Sequence, residues 1–425
     1  MYRDRPSLKI LYITTKPPWP TTDGSRLLVM NTLEGLAQRG HRVTLVAPAD
    51  FQGVAVEEVA ANLREICSPC LIPAQLPSLP GAFVRSRWKG RPLSIDRHSR
   101  SQVREEVARQ LDQGHFDLVH VEQLQALPQA EPALERSIPV VLRAQNVESD
   151  LWAATAKKRP ILRSLAQREN HRLAAWETEA LGRVDLTIAL TRRDAERLRQ
   201  MAGGRARIRL SRVPFMESLP QAGEPLPGEP AVVIFGSEGW FPNRDAVSWF
   251  ARRAWPTVRA RLPGAWLHVF GNWNRALAAE GATRYSPPQD SRDAFPPGSV
   301  MVVPLRIASG VRMKILEAWA RGVPVIALPE AAAGLEATEG KELLLARNAD
   351  QFAASLVRLQ QDPALRARLI AAGRAILARW HRPSAAAARL EEIYREAMGE
   401  GLESVVVGKE SGEILVPREV AQQDF

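Results

Sequence analysis

The sequence predicts an α/β protein of two domains, each built on a parallel sheet. Three observations carry this. The 425 residues exceed what a single hydrophobic core serves, since domains run to ~100–200 residues. Short apolar runs of strand length alternate with segments of helical period, as βαβ units do. Residues 218–230 hold four prolines and two glycines, a linker composition, and the alternation restarts after them. The expected organisation is a first domain over 1–217, the linker 218–230, a second domain over 231–398 and a tail over 399–425.

The first strand is Lys9–Ile13, followed by a polar, proline-rich loop from Thr14 to Asp23. A helix over 25–39 places Leu28, Leu33, Leu36 and Ala37 on one side. Asp23 or Ser25 suits its N-cap, and Gly40 suits its stop. A second apolar strand covers 43–47. Buried strands are expected over 117–121, 138–143 and 185–190, with helices between. After the linker come a strand at Ala231–Phe235, a helix over 244–262 and a strand at Trp266–Phe270. The 244–262 helix puts Val247, Phe250, Ala251, Ala254, Trp255 and Val258 on one face. A strand over 300–304, a helix through Ile315, Leu316, Trp319 and Ala320 that stops at Gly322, and a strand over 323–328 follow. Helices dominate from there to about Met398. The tail has no clear period; its 404–407 and 414–416 runs are the only strand candidates.

A hydrophobic fraction of 45% and a charged fraction of 24% exclude collagen-like, low-complexity and wholly disordered classes. No run approaches the ~18 apolar residues of a membrane span, and the N-terminal apolar run is too short for a signal peptide. With only two cysteines, the chain fits a reducing compartment, and the expected location is cytoplasmic. Net charge is +10, all of it in the first half. Residues 1–215 hold 33 Lys and Arg against 23 Asp and Glu, and the remainder holds 24 of each. A basic half beside a neutral half points to an anionic partner: nucleic acid, an anionic membrane or a phosphorylated substrate.

The block 303–326 carries the strongest chemical signal. It reads as strand, small-residue loop, helix and strand. Gly310 permits close backbone approach to a ligand. Free N–H groups at the helix start favour a phosphate, with Arg312 and Lys314 adding charge. Glu317, further into the helix, can accept two hydroxyl hydrogen bonds such as a ribose offers. As structure alone, the same block is a surface crossover with solvated Arg and Lys, and spacing does not separate the two.

The block nevertheless resembles that of glycosyltransferase family 4, whose members have a glutamate-bearing helix followed by Gly-x-Pro-Val. The stretches Pro-Pro-Trp-Pro-Thr-Thr-Asp-Gly-Ser-Arg before the first helix, 39–44, 145–149 and 240–247 are similar to further family blocks, in the same order. The resemblance spans Ile10 to about Met398. It implies the GT-B fold, two facing Rossmann-like domains with an interdomain cleft, and a nucleotide sugar held by the second domain. It implies sugar transfer with retention to a glycan or lipid-linked acceptor, in cell-surface polysaccharide or glycoconjugate synthesis. No cofactor or metal is implied.

Position by position, Glu317 matches the family's ribose-binding glutamate. The family's first glutamate falls on Ser309, a departure that leaves the sugar open. Ser309, Gly310 and Val311 form the expected donor loop, and Arg312 and Lys314 are the expected catalytic cations. Arg244 stands where the family carries an early basic residue. Gly24 matches a loop glycine near the donor phosphates, and His120 matches loosely a histidine that contacts the donor sugar. Asn146 and Glu148, ending a strand, are expected to face the acceptor. Their plainer role is a helix cap.

Cys67-Ser68-Pro69-Cys70 lacks a second ligand pair and reads as coincidence in a loop. Arg85, Arg87, Trp88, Lys89 and Arg91, with Arg97 and Arg100, form a basic segment suited to peripheral contact with anionic lipid headgroups at the inner face of the plasma membrane or to a lipid-linked diphosphate; as structure alone it is a solvated loop. No nucleic-acid fold signature accompanies it. The alternatives to transfer are a nucleotide-sugar epimerase of the same fold, or a catalytically inactive nucleotide-sugar or glycan-binding protein.

Overall fold

The computed structural model describes residues 6–49, 55–158, 163–221, 223–274, 277, 279–288 and 290–400. Most of the expected tail, including the 404–407 and 414–416 runs, lies outside the described residues. Among the described residues, thirteen strands form two sheets. The first contains β1 (Lys9–Ile13), β2 (Arg42–Ala49), β3 (Ser68–Pro73), β4 (Leu118–Glu122), β5 (Val140–Ala144), β6 (Leu186–Ala189) and β7 (Ile208–Leu210). The second contains β8 (Ala231–Phe235), β9 (Trp266–Phe270), β10 (Ala282–Tyr285), β11 (Val300–Val303), β12 (Val325–Ala327) and β13 (Leu344–Leu345). Their orders are β3-β2-β1-β4-β5-β6-β7 and β10-β9-β8-β11-β12-β13, with every pairing parallel. Both orders reverse beside the first strand of the sheet, where doubly wound sheets open a crevice at their carboxyl ends.

The central strands are buried on both faces, as their continuous apolar runs require. The strands that the sequence did not disclose are β3, β7, β10 and β13. All four are edge strands, and β3 carries Pro69 and Pro73, tolerated at an edge that need not donate to a neighbour. Cys67 lies in the bend before β3 and Cys70 within that edge strand. Burial pushes the two thiols up, to about 12 and about 11, away from thiolate chemistry.

The helix Gly24–Gln38 is capped by Asp23, which accepts from the backbone N–H groups of Ser25 (3.0 Å) and Arg26 (3.1 Å). The expected 244–262 helix is three pieces: Phe241–Trp249, a π-turn Phe250–Ala254 and Trp255–Arg261. Pro256 has no N–H to donate, so the ladder widens there while its predicted apolar face stays buried.

The linker lies against the second domain: Leu219 N–H donates to Ala320 O at 3.0 Å. The chain then crosses back. Its last helix, Pro383–Ala397, packs Leu390, Ile393 and Tyr394 into the core of the first domain, and Arg39 Nε donates to Glu391 at 2.7 Å. A further apolar cluster joins Leu28, Leu190 and Phe215 of the first domain to Met313 and Leu316 of the second. The two sheets therefore share a packed seam beside the cleft. Among the described residues, no helix is long and apolar enough to cross a membrane.

Candidate functional site

The cleft between the sheets encloses about 830 Å³. From the second domain it is lined by the start of the helix Met313–Ala320 and by the loop after β8. From the first domain come the loop after β1, the start of the helix Gly24–Gln38 and the ends of β4 and β5.

The helix Met313–Ala320 is amphipathic in the order Met-Lys-Ile-Leu-Glu-Ala-Trp-Ala. Ile315, Leu316, Ala318 and Trp319 are buried, which turns Lys314 and Glu317, three residues apart, towards the cleft. Lys314 Nζ donates to the Phe235 carbonyl and lies 3.3 Å from Asn243 Oδ1. Burial and then the neighbouring Arg312 charge push its pKa down to about 7. Arg312 occupies the N-cap position, with its guanidinium 6.0 Å from the Trp240 ring centre. Burial lowers it to about 10, against the opposing pull of Asp194 from the first domain. Its Nε has no hydrogen-bond partner among the described residues. Two adjacent desolvated cations at a helix N-terminus form a site that an anion relieves.

Glu317 is 3% exposed. Ser291 Oγ and Arg321 Nε (2.9 Å) both donate to its Oε1. Burial raises its pKa, opposed by Ser291 and Arg321. Arg321 follows Glu317 by one helical turn, a pairing legible in the sequence. Ser291, Asn243, Trp240 and Asp194 come from other elements and carry no local signal of their role.

Ser309 and Gly310 depart from expectation. Gly310 has φ +73°, and a Cβ there would fall 2.1 Å from Gln145 O. The Val147 N–H donates to Ser309 Oγ at 3.0 Å. Both residues meet the end of β5 across the seam and neither lines the cleft. The close approach that demands glycine is to the other domain's backbone, not to a ligand. Val311 does line the cleft. Gly24 lines it too, and a Cβ on it would come within 2.8 Å of Met313 Cβ, so it also spaces the domains.

His120 is a correction. Its ring is fully buried within the first domain, stacked on Tyr12 (4.2 Å between centres), with Nδ1 2.9 Å from Tyr394 Oη. Strand parity explains this: it turns His120 to the face that the last helix covers. Burial lowers its pKa to about 4, so it is a neutral core residue. Arg244 is also displaced from the expected site. Its guanidinium lies 5.4 Å from the Phe241 ring centre and it does not line the cleft, whereas Asn243 does.

Asn146 and Glu148 do face the cleft, with Asn146 Nδ2 donating to Glu148 Oε1 at 3.2 Å. Burial, then the nearby Glu177 carboxylate, raise Glu148 to about 7. Glu177 fills the capping role, accepting from the N–H groups of Glu148 (2.8 Å) and Ser149 (3.0 Å). Gln123, at the end of β4, holds φ +71°, a strained setting for a residue with a side chain. Its amide is fixed by Thr15 (2.7 Å), Ser25 (3.1 Å) and Gln145 (2.9 Å). Gln145 in turn donates to Glu122 (2.8 Å), which is paired with buried Arg143. An ion pair in the core thus fixes the amides on the cleft's floor.

Two family models match. Residues 22–211 match one described as Glycosyltransferase Family 4, and residues 229–362 match one described as Glycosyl transferases group 1. Among solved structures, the chain is similar to sucrose-phosphate synthase from Thermosynechococcus elongatus (TM-score 0.68, 17% identity, 93% of this chain and 100% of that one). It is also similar to Anabaena HepE in complex with UDP-glucose (TM-score 0.63, 13% identity, 92% and 100%). A third likeness is to a glycosyltransferase from Rickettsia africae (TM-score 0.63, 10% identity, 93% and 100%). Comparison with curated protein sequences finds no match.

Proposed function

Because the chain is a glycosyltransferase of the family 4 type on the two-domain GT-B fold, we propose that it moves a sugar from a nucleoside-diphosphate sugar to a hydroxyl of a glycan or lipid-linked acceptor. The observation that carries this reading is the placement of Arg312, Lys314 and Glu317 on the first turns of one helix, facing the other domain across the cleft. The two cations meet the diphosphate, where negative charge grows as the sugar departs, and Glu317 accepts from the ribose. Val311 and Gly24 flank the phosphates. HepE, which was solved with UDP-glucose, supports a nucleotide-sugar donor. Transfer is proposed to proceed with retention, without a metal ion, with the leaving phosphate taking the acceptor's proton. Asn146 and Glu148 face the acceptor. Cell-surface polysaccharide or glycoconjugate synthesis is the setting that fits a glycan or lipid-linked acceptor.

A panel of nucleotide sugars in a thermal-shift assay identifies the donor, since a ligand at 100 times its dissociation constant stabilises by ~2.7 kcal/mol. Incubation of the protein with that donor and an acceptor mixture is expected to release nucleoside diphosphate and extend an acceptor. An isomerised nucleotide sugar in place of an extended acceptor would make the chain an epimerase. Binding without turnover would make it a sugar-binding protein.

Peripheral membrane contact forms part of this reading, on a revised surface. Arg85 is bound to Asp96 (2.7 Å) and Arg91 to Glu131 (2.6 Å), so these two expected contacts are spent within the fold. The helix Leu79–Trp88 nevertheless exposes Leu79, Phe83, Val84 and Trp88, the last 86% exposed, beside Arg87 and Lys89. Vesicles rich in anionic lipid are expected to bind the protein, and added salt to release it, over a Debye length of ~8 Å at physiological ionic strength. Trp88→Ala combined with Arg87→Gln and Lys89→Gln is expected to abolish the binding. Equal binding to neutral vesicles, or retention by that variant, counts against membrane contact.

A further inference from the structure

The helix Glu148–Lys157 starts at the cleft and leads away from it. Glu148 and Leu151 lie three residues apart on one face, and both line the cleft. Six residues beyond Leu151, about 9 Å along the helix axis, Lys157 is exposed, as is Lys158 after it. The chain returns in the helix Arg163–Arg183, which packs antiparallel against the first. Glu177, late in that helix, accepts from the N–H groups of Glu148 and Ser149 at the cleft end. Leu165, early in it, is exposed at the far end.

The helix Leu79–Trp88 lies against this hairpin. Arg172 donates to Ser86 O (2.9 Å) and Arg91 O (2.7 Å), and Glu169 accepts from the Leu93 N–H. Leu79, Phe83, Val84 and Trp88 are exposed on it, with the Arg87 guanidinium 5.8 Å from the Phe83 ring centre and Lys89 exposed beyond. The chain before this helix leads back to the cleft. Leu76 lines the cleft. It stands three residues before Leu79 and so at most ~11 Å from it.

Apolar side chains thus stand in the cleft wall, at Leu76 and Leu151, and again on the outer elements that continue from each of them. A group of exposed apolar residues on a soluble fold marks an interaction surface. Cations among such residues suit a lipid chain beneath anionic headgroups. A water-soluble glycan makes use of neither feature.

We propose that the acceptor is a lipid. Its hydroxyl-bearing head lies at Asn146 and Glu148, and its apolar chain leaves the cleft past Leu151 and Leu76 towards the exposed face of the helix Leu79–Trp88. This rests on the reading that the cleft transfers a sugar, and it chooses between the two acceptor classes which that reading leaves open. Membrane contact by itself requires only the outer face. A lipid acceptor also requires Leu76 and Leu151.

The nucleotide sugar selected by the thermal-shift panel, radiolabelled in its sugar, tests this. The intact protein is given a detergent-dispersed total lipid extract of its source cells and, separately, their water-soluble glycans. Label is expected in a butanol-extractable product. Label confined to the water-soluble glycans overturns the proposal and leaves sugar transfer intact. Label in neither, with the nucleotide sugar bound, overturns sugar transfer itself.

Leu76→Gln with Leu151→Gln is expected to raise KM for the lipid extract at least about tenfold, because apolar contact with the chain is lost. Affinity for the nucleotide sugar is expected to stay within about twofold, since Arg312, Lys314 and Glu317 are untouched. An unchanged KM overturns the proposed route. Both leucines are part-exposed, which favours folding of the variant. If it does not fold, photolabelling of the intact protein decides. A C15 prenyl alcohol carrying a mid-chain diazirine is expected to label the peptides that hold Leu76 and Leu151. Labelling confined to the helix Leu79–Trp88, or absent, overturns the proposal.

Discussion

Lys314→Gln is expected to lower kcat by about 100- to 1,000-fold, the range lost when one preorganised stabiliser of a developing anion is removed. Glutamine can still donate to the Phe235 carbonyl that Lys314 contacts, so the change removes charge while sparing that bond. The loss is expected to fall mainly on kcat, with a smaller change in nucleotide affinity, because charge on the diphosphate grows on the way to the transition state. Arg312→Gln is expected to behave alike.

A proton measurement checks the cause. In the free protein Lys314 titrates at about 7, so at about pH 8 it is mostly neutral. A bound diphosphate favours the charged form and raises that pKa, so binding takes up a proton from solution at this pH. Calorimetry in buffers of different ionisation enthalpy is expected to show this uptake in the intact protein and not in Lys314→Gln. Unchanged kcat in both single variants and in the double variant removes the two cations from the chemistry.

Glu317→Gln is expected to weaken nucleoside diphosphate binding by roughly 10- to 100-fold, since a hydrogen bond to a charged acceptor is worth ~1.5–3 kcal/mol. Glutamine is the informative replacement here. Arg321 is itself 7% exposed and depends on Glu317 Oε1 as a partner. Alanine would leave that guanidinium without its carboxylate, mixing a folding defect into the binding result. A deoxyribose nucleotide sharpens the test: the intact protein is expected to bind it more weakly than the ribose form, and Glu317→Gln to lose most of that preference. Equal affinities in both proteins place Glu317 outside the nucleotide site.

Both sheets were legible wherever a strand is buried on both faces. Runs such as those of β1, β8 and β9 are apolar whatever surrounds them, and their bounds read directly from the residues. The cleft-facing helix was equally legible, because Arg312, Lys314 and Glu317 are near neighbours whose spacing on a helix fixes which of them share a face. The glycine at 310 was visible too, with its purpose misread: the sequence shows that a Cβ is intolerable without showing what it would strike. His120 shows the same limit. Its position at a strand end is local information. That Tyr12 and Tyr394 enclose it is not, since Tyr394 lies 274 residues further on.

By itself, then, the sequence determined the two parallel sheets and the helix that carries two cations and a carboxylate. These follow from periodicity and from contacts within a turn or two of chain. Only the tertiary structure decided which side chains meet across the cleft. It docked Ser309 and Gly310 on the end of β5, brought Asp194 to Arg312, and sent the last helix back onto the first domain. The physical reason is that burial and Coulombic neighbours set a side chain's role, and both are supplied by residues distant in sequence, which no local pattern encodes.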